Sequence, residues 1–340
     1  MKKLLFLSLI ALGTSCKNGA LVNSTKNVDP TQYMKTITAE DLKKHLYIIA
    51  ADSMEGRETG SAGQKKTGRY LIGEYQKNQV SFPKGASDFY QAVPAAFLNK
   101  KRNNNLPDSE NIWAFIEGTE KPEEVIVISA HYDHVGIENG EIYNGADDDG
   151  SGTSALLEIA QAFQMAKKEG NGPKRSILFL HVTGEEHGLL GSRYYSENPL
   201  FPLANTVADV NIDMIGRRDE LHATTNNYVY IIGANRLSAE LDHISAAMNQ
   251  KYIGLDLDYR FNDPKDPNRF YERSDHYNFA KHGIPSVFFF NGVHADYHKK
   301  TDEADKIEYD ALEKRTQLAF VVAWELANRK NRIQVDADKK

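Results

Sequence analysis

The chain is constrained most by a set of short apolar runs that do not alternate. Val125–Ser129, Ile177–Val182, Val210–Ile215, Tyr228–Ile232 and Val287–Phe290 are each nearly continuous in apolar residues. A strand with one face in water alternates apolar with polar. A run without alternation suits a strand buried on both faces. Ile112–Ile116 is a further strand candidate. Helical spacing lies between the runs: Leu156, Ile159, Ala160 and Phe163 form one stripe, Leu237, Leu241, Ile244 and Met248 another, and Leu312 to Leu326 a long third. Upstream, Thr38 can cap a helix whose first turn carries Glu40 and Asp41, with Leu42, Leu46 and Ile49 on one face. A second helix is predicted from about Gln64 to Gln79. Strands alternating with helices predict an α/β fold, with a mainly parallel sheet and helices on both faces.

The ends of the chain read differently. Residues 1–16 resemble a signal peptide: Met1-Lys2-Lys3 is basic, and Leu4 to Gly13 is apolar but too short to span a bilayer. Cys16, the only cysteine, resembles the acylation site of a bacterial lipoprotein, although Gly13 stands where such sites usually carry Leu. The expectation is an exported protein, periplasmic or in the cell envelope, anchored to the membrane by lipid at Cys16. With no second cysteine there is no internal disulfide, so a metal site must be built from His and carboxylates. Residues 17–36 are polar and predict a flexible tether. Residues 37–330 show no internal linker and predict a single domain, followed by a polar tail at 331–340. A net charge of −6 and the lack of a basic cluster argue against nucleic acid as a partner.

The chemistry-bearing residues follow the strands. Val125–Ser129 runs into Ala-His-Tyr-Asp-His at 130–134, Ile177–Val182 into Thr-Gly-Glu-Glu-His at 183–187, and Val210–Ile212 into Asp213. His294, Asp296 and His298 follow Val287–Phe290. The C-terminal edge of an open α/β sheet is where sites form, and buried charges need partners or metal. The stretch Asp147-Asp148-Asp149-Gly150-Ser151-Gly152, followed after five residues by Glu158, has nearly the spacing of an EF-hand loop. The preceding stretch holds three glycines and no helical stripe, and Glu158 falls inside a predicted helix at 153–169. Calcium therefore gives way to a transition metal held by imidazole and carboxylate.

Taken in order, Ala-His-Tyr-Asp-His at 130–134, Gly-Ala-Asp-Asp-Asp-Gly-Ser-Gly at 145–152, Gly-Glu-Glu-His-Gly-Leu-Leu-Gly-Ser at 184–192, Asn-Ile-Asp-Met-Ile-Gly at 211–216 and Tyr-His-Lys-Lys-Thr-Asp at 297–302 closely resemble metallopeptidase family 28, the di-zinc aminopeptidases and their relatives. Ser-Asp-His at 274–276 and Glu-Gly-Arg-Glu-Thr-Gly-Ser at 55–61 resemble it too. The resemblance covers roughly residues 38–328 and implies a three-layer sandwich around a mixed, mainly parallel sheet. It implies His131 and Asp213 as ligands of one zinc, Glu186 and His298 as ligands of a second, and Asp148 as the bridge. Glu185 aligns with the general base, and Asp133 with the acid that orients His131. Tyr297 stands where some members carry a Tyr that stabilises an oxyanion. Asp147 and Asp149 are expected to be held by backbone rather than metal. The implied function is an exported zinc aminopeptidase acting on peptides. A carboxypeptidase or dipeptidase of the same family, and a glutaminyl cyclase on a similar fold, are the alternatives.

Overall fold

The computed structural model describes residues 28–100 and 105–337. The leader at 1–16, with Cys16, lies outside the described residues, as does most of the expected tether. In chain order the strands are β1 (Tyr90–Val93), β2 (Ser109–Ile116), β3 (Lys121–His131), β4 (Gly136–Glu138), β5 (Glu141–Tyr143), β6 (Arg175–Val182), β7 (Thr206–Ile212), β8 (Tyr228–Ile232), β9 (Asp256–Asp258) and β10 (Ser286–Phe290). β4 and β5 form a hairpin, and the other eight make one sheet in the order β1-β2-β6-β3-β7-β10-β8-β9. The central neighbours β6, β3, β7 and β10 run parallel. β2 joins β6, and β8 joins β10, in antiparallel fashion. The sheet is thus mixed and mainly parallel at its centre.

The missing alternation in the apolar runs has a direct cause. Ile126, Ile128 and Ala130 of β3 face one core, shared with Val210 and Ile212 of β7 and with Phe289 of β10. The helices Ala39–Ile49, Gly152–Lys168 and Tyr309–Asn328 cover that face. Val125 and Val127 point the other way, against Leu178, Leu180, Tyr195 and Phe279. Further along that opposite face, Tyr230, Phe288 and Phe290 pack with Phe270 and Met214. Both faces are therefore dry, and each buried Val, Ile, Leu or Phe contributes about 1.5–3 kcal/mol. The expected three layers are present.

The helices predicted from caps and spacing are observed as Ala39–Ile49 and Ala62–Lys77. Thr38 caps the first, its hydroxyl accepting from Asp41 N at 3.2 Å. The tether and tail expectations need correcting at their inner ends. Thr31–Met34 forms a helical turn that buries Tyr33 and Met34, and Tyr33 stacks on Trp324 with ring centroids 5.5 Å apart. At the other end Ile333 is buried in the main core, and Arg332 donates to the carbonyls of Ala204 and Thr206. Isolated apolar residues in a polar context anchor both segments. No helix among the described residues is long and apolar enough to cross a membrane.

Candidate metal centre

The parallel strands deliver the polar residues to one edge. His131 is the last residue of β3, Asp213 directly follows β7, and Glu185 and Glu186 follow β6 within one turn. Asp148 arrives from the loop Ala146–Ser151, which leads into the helix Gly152–Lys168. That loop is fixed from several sides. The Asp302 carboxylate accepts the N–H groups of Asp147 and Asp148 at 3.0 and 3.2 Å. Asp147 Oδ1 accepts from Gly216 N at 2.6 Å, and Asp149 Oδ1 from Gly152 N and Met214 N at 2.8 and 3.1 Å. Gly152 is required here, because a Cβ would sit 2.5 Å from Asp149 Oδ1 and 2.6 Å from the Ile212 carbonyl. Backbone donors thus occupy the outer two aspartates, as expected, and the middle one faces the site. The Asp148–Asp149 peptide is cis.

Two clusters meet at Asp148. In the first, His131 Nε2 lies 3.2 Å from Asp148 Oδ1 and 3.5 Å from Asp213 Oδ1. In the second, His298 Nε2 lies 3.1 Å from Asp148 Oδ2 and 3.0 Å from Glu186 Oε2. His134, the last residue of Ala-His-Tyr-Asp-His, is fully buried with Nδ1 2.9 Å from Glu186 Oε1. One set of atoms close enough to share an ion comprises His131, Asp148 and Asp213; another comprises His134, Asp148 and Glu186. Two histidines thus flank the second position, one buried and one on the mouth.

The electrostatics call for positive charge. Burial pushes the Asp148 carboxyl up, but the close imidazoles of His131, His298 and His134 outweigh it and hold it well below the usual range. Burial opposes a charge on His131, yet Asp213 and Glu185 raise its pKa well above normal. Burial, then the neighbouring charges of Glu186 and Asp213, lift the Glu185 carboxyl well above the carboxylate range, against the pull of His131. His131 Nε2, His134 Nδ1 and Glu186 Oε1 are buried and have no hydrogen-bond partner of good geometry. Buried imidazole nitrogens and carboxylate oxygens converging on shared positions fit a borderline metal ion such as zinc.

The supporting residues depart from expectation in places. Asp133 meets His131 through its main-chain carbonyl, 3.1 Å from Nδ1; its carboxylate is farther, at 3.8 Å. That carboxylate instead accepts from Thr59 Oγ1 at 2.8 Å and Glu185 N at 3.2 Å, so it positions the Glu185 backbone. The Ser274 hydroxyl donates to Asp213 Oδ2 at 2.7 Å. Asn211 Nδ2 donates to that hydroxyl and Ser129 to Asn211, so a buried chain runs from Asp213 through Ser274 and Asn211 of β7 to Ser129 of β3. His294 bonds Asp147 rather than the ligand cluster, at 3.2 Å. His181 is a core histidine whose Nε2 lies 2.7 Å from the Tyr75 hydroxyl, while its Nδ1 has no hydrogen-bond partner among the described residues. Glu158, the last position of the rejected calcium loop, points to His45 at 3.0 Å.

Arg57 was given no role by the sequence, and it is fully buried beneath the site. It donates to the carbonyls of Tyr132 (3.1 Å), Ile49 (3.0 Å), Asn144 (2.6 Å) and Gly145 (2.9 Å). It thereby ties the His131 loop to the Asp148 loop. Only its place within Glu-Gly-Arg-Glu-Thr-Gly-Ser could have drawn attention to it. Tyr297 lines the pocket over Asp148, Glu185 and Asp213, together with Phe270, Arg273 and Phe288.

A family model described as "Peptidase family M28" matches residues 111–323. A "Probable leucine aminopeptidase" of Trichophyton verrucosum (strain HKI 0517) is 29% identical over 225 residues, 64% of this chain and 57% of the relative. A "Probable glutamate carboxypeptidase AMP1" of Arabidopsis thaliana is 30% identical over 210 residues, 59% of this chain and 27% of the relative. The chain therefore spans little more than half of the first of these curated relatives and about a quarter of the second. In fold it is similar to "Aminopeptidase from Aneurinibacillus sp. strain AM-1", with a TM-score of 0.66 at 16% identity, covering 91% of this chain and 98% of that one.

Proposed function

Since this chain belongs to peptidase family M28, whose model matches residues 111–323, we propose that it is an exported zinc-dependent aminopeptidase. It would hydrolyse N-terminal peptide bonds at a co-catalytic pair of zinc ions, with Glu185 as general base. The observation that carries this reading is the sharing of Asp148 between two adjacent ligand clusters. A bridging carboxylate is what two ions about 3.5–4 Å apart require. His131, Asp148 and Asp213 would hold one ion. Asp148 and Glu186 would hold the other with His298, and His134 is the competing donor.

Zinc held there supplies Lewis-acid polarisation of a carbonyl and acidifies water. The chain's own groups do the rest. Glu185 takes a proton from the attacking water as the C–O bond forms. It returns that proton to the leaving amine as the C–N bond breaks, so no proton is gained or lost overall. Asp133, bonded to Glu185 N, fixes where the base stands. Burial and the charges of Asp148 and Glu186 raise the Tyr297 hydroxyl pKa far above normal, so Tyr297 stays neutral and donates to the developing oxyanion. The apolar leader before Cys16 supports export, with a lipid anchor holding the domain at the cell envelope.

The test is Glu185→Gln, assayed on aminoacyl anilides, N-blocked peptides and N-terminal glutaminyl peptides. Metal content should stay at the parent level while turnover falls about a hundredfold to ten-thousandfold. Near-normal turnover would refute the base assignment. Cleavage of blocked peptides alone would make the protein a carboxypeptidase, and ring closure of glutaminyl peptides a cyclase.

A further inference from the structure

Arg273 stands one residue before Ser274, whose hydroxyl contacts Asp213, and among the described residues it is the only cationic side chain lining the pocket over Asp148, Glu185 and Asp213. It also lines the adjoining groove, which shares Phe270, Val293 and Tyr297 with that pocket and extends past the exposed Leu221. The guanidinium lies over the Phe270 ring, 5.0 Å from its centroid, and donates to the Tyr297 hydroxyl at 3.4 Å. Among the described residues no carboxylate oxygen lies within 4.0 Å of its guanidinium nitrogens. Its neighbours in the fold are placed differently. Arg217 is paired with Asp296, Arg218 with Glu308 and Arg269 with Glu272.

A planar fork of donors, held against an aromatic face with its counter-ion position open, is suited to bidentate capture of a carboxylate. Of the carboxylates lining the pocket, Asp148 and Asp213 belong to the ligand clusters and Glu185 is the proposed base, and neither these nor Asp219 and Glu220 of the adjoining groove pair with Arg273, which leaves its counter-ion to come from a bound substrate. We propose that Arg273 is a substrate-binding residue that recognises a carboxylate close to the scissile bond. This rests on the peptidase reading and narrows it to substrates that carry a carboxylate near the scissile bond. Two sources share that chemistry: the C-terminal carboxylate of a dipeptide, and the side chain of an N-terminal Asp or Glu.

The experiment measures kcat/KM for two matched pairs with the zinc-loaded protein and with Arg273→Met and Arg273→Lys. One pair is Ala-Ala against its C-terminal amide; the other is an N-terminal glutamyl anilide against the glutaminyl anilide. The parent should favour the carboxylate member of one pair by about tenfold to a hundredfold. Which pair shows the preference identifies the source. Arg273→Met should abolish that preference while leaving the neutral member within about threefold, and Arg273→Lys should restore only part of it. A parent with no preference in either pair overturns the assignment. So does an equal loss on both members in Arg273→Met, which would mean that the arginine acts through Tyr297. Failure to cleave any of the four substrates overturns the peptidase reading as well, whereas cleavage without preference overturns this assignment alone.

Discussion

Replacing Arg57 with Met should damage the metal centre from below without touching a ligand. The substitution keeps an unbranched side chain but removes every donor. The carbonyls of Ile49, Tyr132, Asn144 and Gly145 then lose their bonds to the guanidinium in a fully buried place. Each unpaired carbonyl costs about 1–3 kcal/mol. Burying a guanidinium itself costs several kcal/mol, which the variant recovers. Asp148, Asp149 and Asp302 would also lose a neighbouring positive charge. The net expectation is a loss of about 3 kcal/mol, or about 5–10 °C in Tm. Arg175→Met is the control. Arg175 is as buried, and it bonds the carbonyls of Leu326 and Arg329, far along the chain from the site. Both variants should lose stability in thermal melts of the metal-free protein. Only Arg57→Met should bind zinc more weakly in a competitive-chelator titration, because only Arg57 ties the Tyr132 backbone to the Asn144–Gly145 backbone. Equal zinc affinity in the two variants would refute this positioning role.

Other outcomes follow from the same geometry. Asp148→Ala should remove metal and activity together, whereas Asp147→Ala, which loses the Gly216 and His294 contacts, should lower stability more than metal content; equal metal loss would show that Asp148 is not the bridge. Of the two histidines at the second position, His298→Ala should cost one bound ion and His134→Ala should cost less; elemental analysis showing the reverse order would move the ligand role to His134. His181 predicts an acid-sensitive fold: burial holds its pKa down at about 3, against 6.5 in the unfolded chain. Between those values the unfolded state carries the extra proton, so stability falls as pH drops from 6.5 towards 3. At pH 5 the deficit from this ring is about 2 kcal/mol. Urea unfolding of His181→Gln, which keeps a polar partner for Tyr75, should lose about that much less between pH 7.5 and pH 5; an unchanged slope would count against it.

The parallel centre of the sheet was legible because dryness on both faces writes itself as unbroken apolar runs. The same runs hid polar detail. Ser129 and Asn211 sit inside them, with Asp209 just before Val210, and build a buried hydrogen-bonded chain towards Asp213 that no periodicity signals. Short edge elements such as Tyr90–Val93 and Asp256–Asp258 are too brief to carry a pattern. Tyr33, Met34 and Ile333 were assigned to a tether and a tail because one or two apolar residues are not a stripe. At the site, strand ends pointed to His131, Asp213 and the Glu185–Glu186 pair, and the fold brings these together with Asp148 and His298. Spacing could not separate His134 from His298, since both lie beside ligand motifs and only the fold shows that both reach Glu186. Arg57 was invisible for the opposite reason: a lone arginine in a glycine-rich loop looks like surface until its carbonyl partners are known.

The central claim is that Asp148 joins two zinc positions that together support peptide hydrolysis. Its most direct test is a titration of metal-free protein with zinc, following bound ions per chain and the rate of aminoacyl-anilide cleavage in the same samples. The account predicts saturation at two ions, with full activity only when both positions are filled and with Asp148→Ala binding neither tightly. Full activity in metal-free protein, or saturation at one ion with Asp148→Ala unaffected, would contradict it.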